Sequence, residues 1–230
     1  MALRYTFTTL AFISSVSALN LRHMKDDKDT YKSTDTCMCI WDIDRTLTGL
    51  QDDIAECPDN KLEKDIPDCG YDGGHLTLSV VAQNLGNTFC QDCFMGIVSA
   101  GTACGPDSPE RSMLVNLINV TGNLMSDTWS EPDTVTSPLV TSYEDGQKQV
   151  AVQGIVEWHQ ENGHFDTISK QNVHMFDDRV SNIAPFKDTG FSAHQISCQT
   201  RDPNHDNLIG LCGAVLPEIV PTPGVSLCDD

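Results

Sequence analysis

Three short apolar segments, each stopping on polar side chains, constrain this chain more than any other feature. The segment over residues 37–43 alternates in apolar character and delivers Asp42 and Asp44 into the loop Arg45-Thr46-Leu47-Thr48-Gly49. The segment over 94–99 ends at Ser99-Ala100-Gly101, and the one over 173–176 runs into Asp177-Asp178. Runs of this length, rich in Val, Ile, Met and Phe, read as buried strands. Between them, apolar spacing predicts helices over 76–85 (Leu78, Val81, Ala82, Leu85), 109–124 (Met113, Leu114, Leu117, Ile118) and 147–160 (Val150, Ala151, Ile155, Trp158). A short turn or helix over 183–187 and a fourth strand over 194–198 complete the pattern. Residues 51–74 read as a loop-rich excursion and 125–145 as an irregular polar stretch.

Strands alternating with helices predict an α/β fold: a Rossmann-like parallel sheet with helices on both faces. Ligands of such sheets gather outside the carboxyl ends of the strands, where Asp42, Asp44, Ser99, Asp177 and Asp178 fall. Asp42 and Asp44 are two residues apart on a strand, so both side chains start on one face. Carboxylates so close repel unless a cation or a shared proton relieves them. With oxygen ligands alone, Mg²⁺ suits such a site. If the strands are neighbours, Asp177 and Asp178 join the same pocket.

These residues also carry a resemblance. Trp41-Asp42-Ile43-Asp44-Arg45-Thr46-Leu47-Thr48 resembles the first motif of the haloacid dehalogenase-like (HAD) superfamily, an apolar strand followed by Asp-x-Asp-x-Thr. Ile97-Val98-Ser99-Ala100-Gly101 looks like its second motif. Lys148, opening a helix, looks like the third-motif lysine, with Lys170 and Lys187 as competitors that fit the order less well. His174-Met175-Phe176-Asp177-Asp178 looks like the fourth, and Asn182 to Ile196 resembles the step to the next strand.

The resemblance implies an Mg²⁺-dependent phosphomonoester hydrolase with a HAD-like core over 37–200. Asp42 would be the nucleophile and form an aspartyl phosphate. Asp44 would act as general acid and then as general base. The metal would be held by Asp42, the main-chain carbonyl of Asp44, Asp177 and Asp178. Thr46, Ser99 and Lys148 would bind phosphate, and Arg45 would reach the substrate or balance nearby acids. The short intervals between motifs leave room for a small cap or none. Apart from the resemblance, residues around 50–75 could form a cysteine-pinned flap, which Cys57 could close with Cys69. Such an open site suits a phosphorylated small molecule or a phosphoprotein. The alternative is a secreted binding or structural protein that keeps the fold without turnover.

The N-terminus points to the secretory route. Residues 1–18 combine Arg4, an apolar run and the small-residue sequence Val16-Ser17-Ala18, the layout of a signal peptide. A polar lead-in follows over 19–36. All ten cysteines lie beyond it, an even number that implies disulfides in an oxidising compartment. Cys37-x-Cys39 and Cys90-x-x-Cys93 precede two strands expected to be adjacent. As four thiolates they could hold zinc, but the leader favours disulfides joining one pair to the other. Cys104, Cys198, Cys212 and Cys228 could pin a tail over 201–230.

No later segment is apolar and long enough to anchor the chain in a membrane. Asn119-Val120-Thr121 is a glycosylation sequon that this route would expose to transfer. A net charge of −19 argues against nucleic acid as a partner. It also opposes phosphorylated substrates at long range, so a phosphatase here needs cations placed locally.

Overall fold

The computed structural model describes residues 36–228. The expected leader, and the lead-in except Thr36, lie outside the described residues.

The elements run β1 (Met38–Trp41), β2 (Lys61–Asp68), β3 (Gly74–Leu78), β4 (Phe94–Val98), α1 (Pro109–Ile118), β5 (Trp129–Ser130), β6 (Leu139–Val140), α2 (Lys148–Glu161), β7 (Val173–Asp177), α3 (Val180–Ile183), β8 (Ser192–Gln195) and β9 (Val225–Ser226). Seven strands form one sheet in the order β5-β6-β4-β1-β7-β8-β9, and every pairing in it is parallel. The α/β sheet architecture expected from the sequence is therefore present.

The sheet is buried on both faces. Cys39, Trp41, Met95, Ile97 and Phe176 pack with Leu114 and Ile118 of α1. Met38, Ile40, Val98 and Met175 pack with Ala151, Val152 and Ile155 of α2 and Ile183 of α3. Period-two alternation sends neighbouring strand residues to opposite layers. Trp41 stacks on Phe176 of the adjacent strand, with centroids 4.6 Å apart.

Helix α1 starts where its sequence dictates: the Ser108 side chain caps Arg111 N, with Pro109 in the first turn. It ends at Ile118, shorter than the apolar spacing predicts. A 3₁₀ turn and Gly122 in the left-handed region (φ 73°) close it.

Three further expectations are corrected. Residues 76–85 do not form a helix. Gly74–Leu78 is a strand paired antiparallel with Lys61–Asp68, and only a 3₁₀ segment follows at Ala82–Asn87, broken at Asn84. Burying Leu76 and Leu78 in a hairpin outweighs the helical spacing of this window. The supposed loop over 51–74 therefore contains an eight-residue strand, β2. The polar stretch over 125–145 contributes two short strands, β5 and β6, to the sheet edge.

All ten cysteines are paired. Cys37–Cys93 and Cys39–Cys90 tie β1 to the segment preceding β4, as the disulfide reading expects, so these sulfurs are no zinc site. Cys57 does not pair with Cys69. Instead Cys57 bonds Cys212 in the tail, and Cys69, in the β2–β3 turn, bonds Cys104 after β4. Cys104 thus pins the hairpin and not the tail. Cys198–Cys228 closes the C-terminal segment. Among the described residues, no helix is long and apolar enough to cross a membrane.

Candidate active site

Parallel pairing makes the polar strand ends meet. β1 lies between β4 and β7, and the register puts Asp42 level with Asp177 on one side and with Val98, just before Ser99, on the other, at the carboxyl edge. Asp42 N extends the ladder to Phe176 O at 2.9 Å. Carboxylate oxygens of Asp42, Asp177 and Asp178 lie within 4.8 Å of one another, and all three residues are buried. Lys148, in the first turn of α2, comes down on this group from the side. Its Nζ donates to Asp42 Oδ1 and Asp177 Oδ2, both at 2.6 Å.

Asp177 is fixed from the opposite side: its Oδ1 accepts from Arg179 N (2.8 Å), and Asn182 Nδ2 donates to both of its oxygens (3.1 and 3.0 Å). Asn182 also receives Gly146 N at 2.8 Å and donates to Asp145 at 3.0 Å. It thereby ties the acidic strand end to the loop that launches α2. Asp178 Oδ2 accepts from Gly210 N at 2.5 Å. Asp178 Oδ1 is buried with no hydrogen-bond partner in the protein.

The electrostatics follow from burial and crowding. Burial raises the pKa of Asp42 well above its usual value; Lys148 opposes this, and the neighbouring acids reinforce it. Burial, with Asp177 second, pushes Asp178 up to about 8. For Lys148, burial works downward, but Asp177 and Asp42 overcome it and hold the ammonium above its ordinary pKa. One lysine thus offsets part of the charge of three carboxyl groups. A buried carboxyl oxygen without a partner is costly, and the three carboxyls offer oxygen donors alone. That donor set fits a hard divalent cation such as Mg²⁺.

Asp44 stands apart from the trio, toward the hairpin. It lies between two glycines. A Cβ at Gly70 would collide with Asp44 Oδ1, and one at Gly101 would lie 2.8 Å from Oδ2. Burial first, then Asp68, pushes Asp44 up to about 6, against Lys148, Arg45 and Arg179. Behind it, the wholly buried Glu110 is raised to about 8, by burial first and then by Asp68 and Asp44.

Asp42, Asp44, Lys148 and Asp178 line a cleft of ≈ 350 Å³ whose walls include Gly70, Tyr71, Gly101, Asp145, Arg179 and Asn182. Arg179 sits at the rim, ion-paired with Asp145. The β2–β3 turn supplies Cys69, Gly70 and Tyr71, so the disulfide-held hairpin forms one wall.

The other residues singled out in the sequence fall differently. Ser99 is buried and accepts Gly101 N at its Oγ (3.0 Å), holding the loop after β4. Thr46 is buried, does not line the cleft, and has no partner at Oγ1 in the protein. Arg45 (φ 63°) turns inward to Asp202 at 3.5 Å and Leu211 O at 3.3 Å, with its guanidinium 4.9 Å from the Tyr71 ring. It balances a buried acid of the C-terminal segment.

That segment is part of the site's architecture: besides Gly210 on Asp178, Arg201 Nη1 donates to Asp178 O at 2.9 Å. Sequence reasoning passed over Tyr71, Asp145, Arg179 and Gly210. Arg179 adjoins the acidic pair and could have been found from that position; the other three carry no local signal.

Comparison of the chain with protein-family models, curated proteins and solved structures finds no match.

Proposed function

We propose that this chain is a secreted, Mg²⁺-dependent phosphomonoester hydrolase of haloacid-dehalogenase-like type, working through an aspartyl-phosphate intermediate. The observation that carries this reading is the convergence of Asp42, Asp177, Asp178 and Lys148 at one edge of a parallel sheet, with a partnerless oxygen of Asp178 inside the cluster. Asp42, Asp177 and Asp178 would hold the cation, together with the Asp44 carbonyl that the resemblance implies. Bound there, it would supply positive charge to the phosphoryl oxygens and relieve the crowded acids.

The chain's own residues do the rest. Lys148 engages one oxygen of Asp42, leaving Oδ2 to attack phosphorus. Because Lys148 is held charged, it offsets negative charge gathering on the transferred group. Asp44, with its raised pKa, retains a proton in mildly acidic solution and donates it to the leaving oxygen; afterwards it takes a proton from attacking water. The loop held by Ser99 contributes Ala100, Gly101 and Thr102 to the cleft lining. Lys148 and Arg179 provide the local cations that an acidic protein needs to draw in a phosphate ester.

A small hairpin, in place of a large covering domain, leaves room for a phosphorylated small molecule or a phosphoprotein side chain. Five disulfides, together with the leader-like N-terminus, support the secretory part of the reading.

The test is a panel of phosphomonoesters, including an aryl phosphate, offered to the oxidised protein with Mg²⁺ and with EDTA. Hydrolysis that requires Mg²⁺ is expected. Absence of turnover across the panel would overturn the enzymatic reading and leave a binding protein.

A further inference from the structure

The sequon Asn119-Val120-Thr121 is not used by the proposed chemistry, and its placement is informative. Asn119 is the C-cap residue of α1, exposed, and its side chain makes no hydrogen bond with the protein. Val120 is 66% exposed, the most exposed large apolar residue among those described. Beside it lies a groove of ≈ 360 Å³ on the α1 face, whose lining includes Leu85, Met113, Leu117 and Val120. A valine left outside next to an apolar groove is the kind of surface that sticks to other molecules unless something covers it. The covering group has an attachment point on the same turn.

We infer that Asn119 carries an N-linked glycan whose first sugars lie over the Leu117–Val120 edge of this groove. This goes beyond the hydrolase reading and rests only on its secretory part. The donor is a lipid-linked oligosaccharyl pyrophosphate, and transfer takes place on the unfolded chain as it enters the secretory compartment. The Asn119 Nδ2 attacks the anomeric carbon, forming a C–N bond. The bond from that carbon to the phosphate oxygen breaks, the lipid pyrophosphate leaves with the electron pair, and one amide proton is lost to a base. No electrons are gained or lost overall.

The fold accepts the product because Asn119 is exposed at the end of α1. The 3₁₀ turn Asn119–Thr121 and Gly122 hold it there. The glycan is outside the cleft residues, so catalysis does not depend on it.

The experiment uses the full chain, made with its own N-terminus in a eukaryotic secretory host, and peptide mapping by mass spectrometry before and after peptide N-glycosidase treatment in heavy-oxygen water. Glycosidase treatment is expected to convert Asn119 to a heavy-oxygen-labelled aspartate and to give one mobility step. Thr121→Ala should abolish the step and Thr121→Ser should keep it, which guards against a folding failure of Asn119→Gln. Enzymatic removal of the glycan should raise binding of an apolar dye, and Val120→Ser should reduce that gain. A disulfide-bonded chain recovered from the medium with Asn119 bare overturns the inference while leaving secretion standing. A chain retained in the cytosol with Asn119 bare overturns both. An occupied Asn119 whose removal leaves dye binding unchanged overturns the covering role.

Discussion

Lys148 Nζ lies 2.6 Å from Asp42 Oδ1 and the same distance from Asp177 Oδ2, joining the first turn of α2 to the ends of two parallel strands. All three residues are buried. The pairing brings a nucleophile candidate, a metal-ligand candidate and a phosphate-binding cation into one contact, and it is sensitive to the loss of any partner.

Lys148→Met removes the cation and leaves buried acids facing one another. Breaking a buried pair from one side costs about 3–5 kcal/mol. Thermal unfolding in EDTA should show a loss of that order, and Mg²⁺ should recover part of it. Phosphatase turnover should fall by about a hundredfold or more.

The pH dependence follows from Asp44. Its pKa is raised to about 6, so the protonated acid is present below that pH and lost above it. The rate kcat/KM should therefore decline as pH rises through about 6. Asp44→Asn should remove that inflection together with most of the activity. An unchanged profile in the variant would take Asp44 out of the acid role.

Gly101 has room for a hydrogen and little more, because a Cβ there would lie 2.8 Å from Asp44 Oδ2. Gly101→Ala should displace the Asp44 carboxyl while leaving the core untouched. Misplacing a catalytic group by roughly an ångström costs on the order of a hundredfold in rate. Steady-state kinetics alongside a thermal melt should show a lowered kcat with little change in stability.

Cys69–Cys104 holds the hairpin against the loop after β4. Replacing both residues by serine should cost about 2–4 kcal/mol. It should also let solvent reach Asp44, moving the kinetic inflection down from about 6 toward the ordinary carboxylate range. Equal stability loss without that movement would mean that the bridge braces the fold but not the site.

Stability in the absence of metal should also depend on pH. Asp178 and Glu110 are each raised to about 8, so the folded state holds protons that the unfolded chain releases near its ordinary carboxylate pKa. Their favourable contribution is complete below about 4 and is lost as pH rises through about 8. Melts in EDTA should show a midpoint that falls from about pH 4 to about pH 8 and levels off above, and Mg²⁺ should flatten the fall by accepting ionised Asp178.

What could be read from the sequence were the elements that bury both faces of the sheet. The segment around Ile40, Ile97 and Met175 is continuous in apolar residues because helices cover both sides, and the polar stop after each strand marks the edge where ligands gather. Asp42, Asp177 and Asp178 were legible for that reason; Lys148, at a helix start, was singled out only by the resemblance.

The hairpin was not. Lys61 to Asp68 is charged, contains Pro67 and buries only Asp68, so neither strand alternation nor propensity marks it. Leu76, Leu78, Val81 and Leu85 mimic helical spacing although two of them belong to a strand. The contacts of Gly210 and Arg45 with distant acids depend on how the C-terminal segment folds back, which no local pattern encodes.

The central claim is that Asp42 itself takes up the phosphoryl group. It is tested most directly by quenching the enzyme in acid during turnover with Mg²⁺ and mapping its peptides by mass spectrometry. The expected result is a peptide carrying one phosphoryl group on Asp42, sensitive to hydroxylamine and absent from Asp42→Asn. Active enzyme with no phosphoryl group on Asp42 under that quench, together with undiminished turnover by Asp42→Asn, would contradict it.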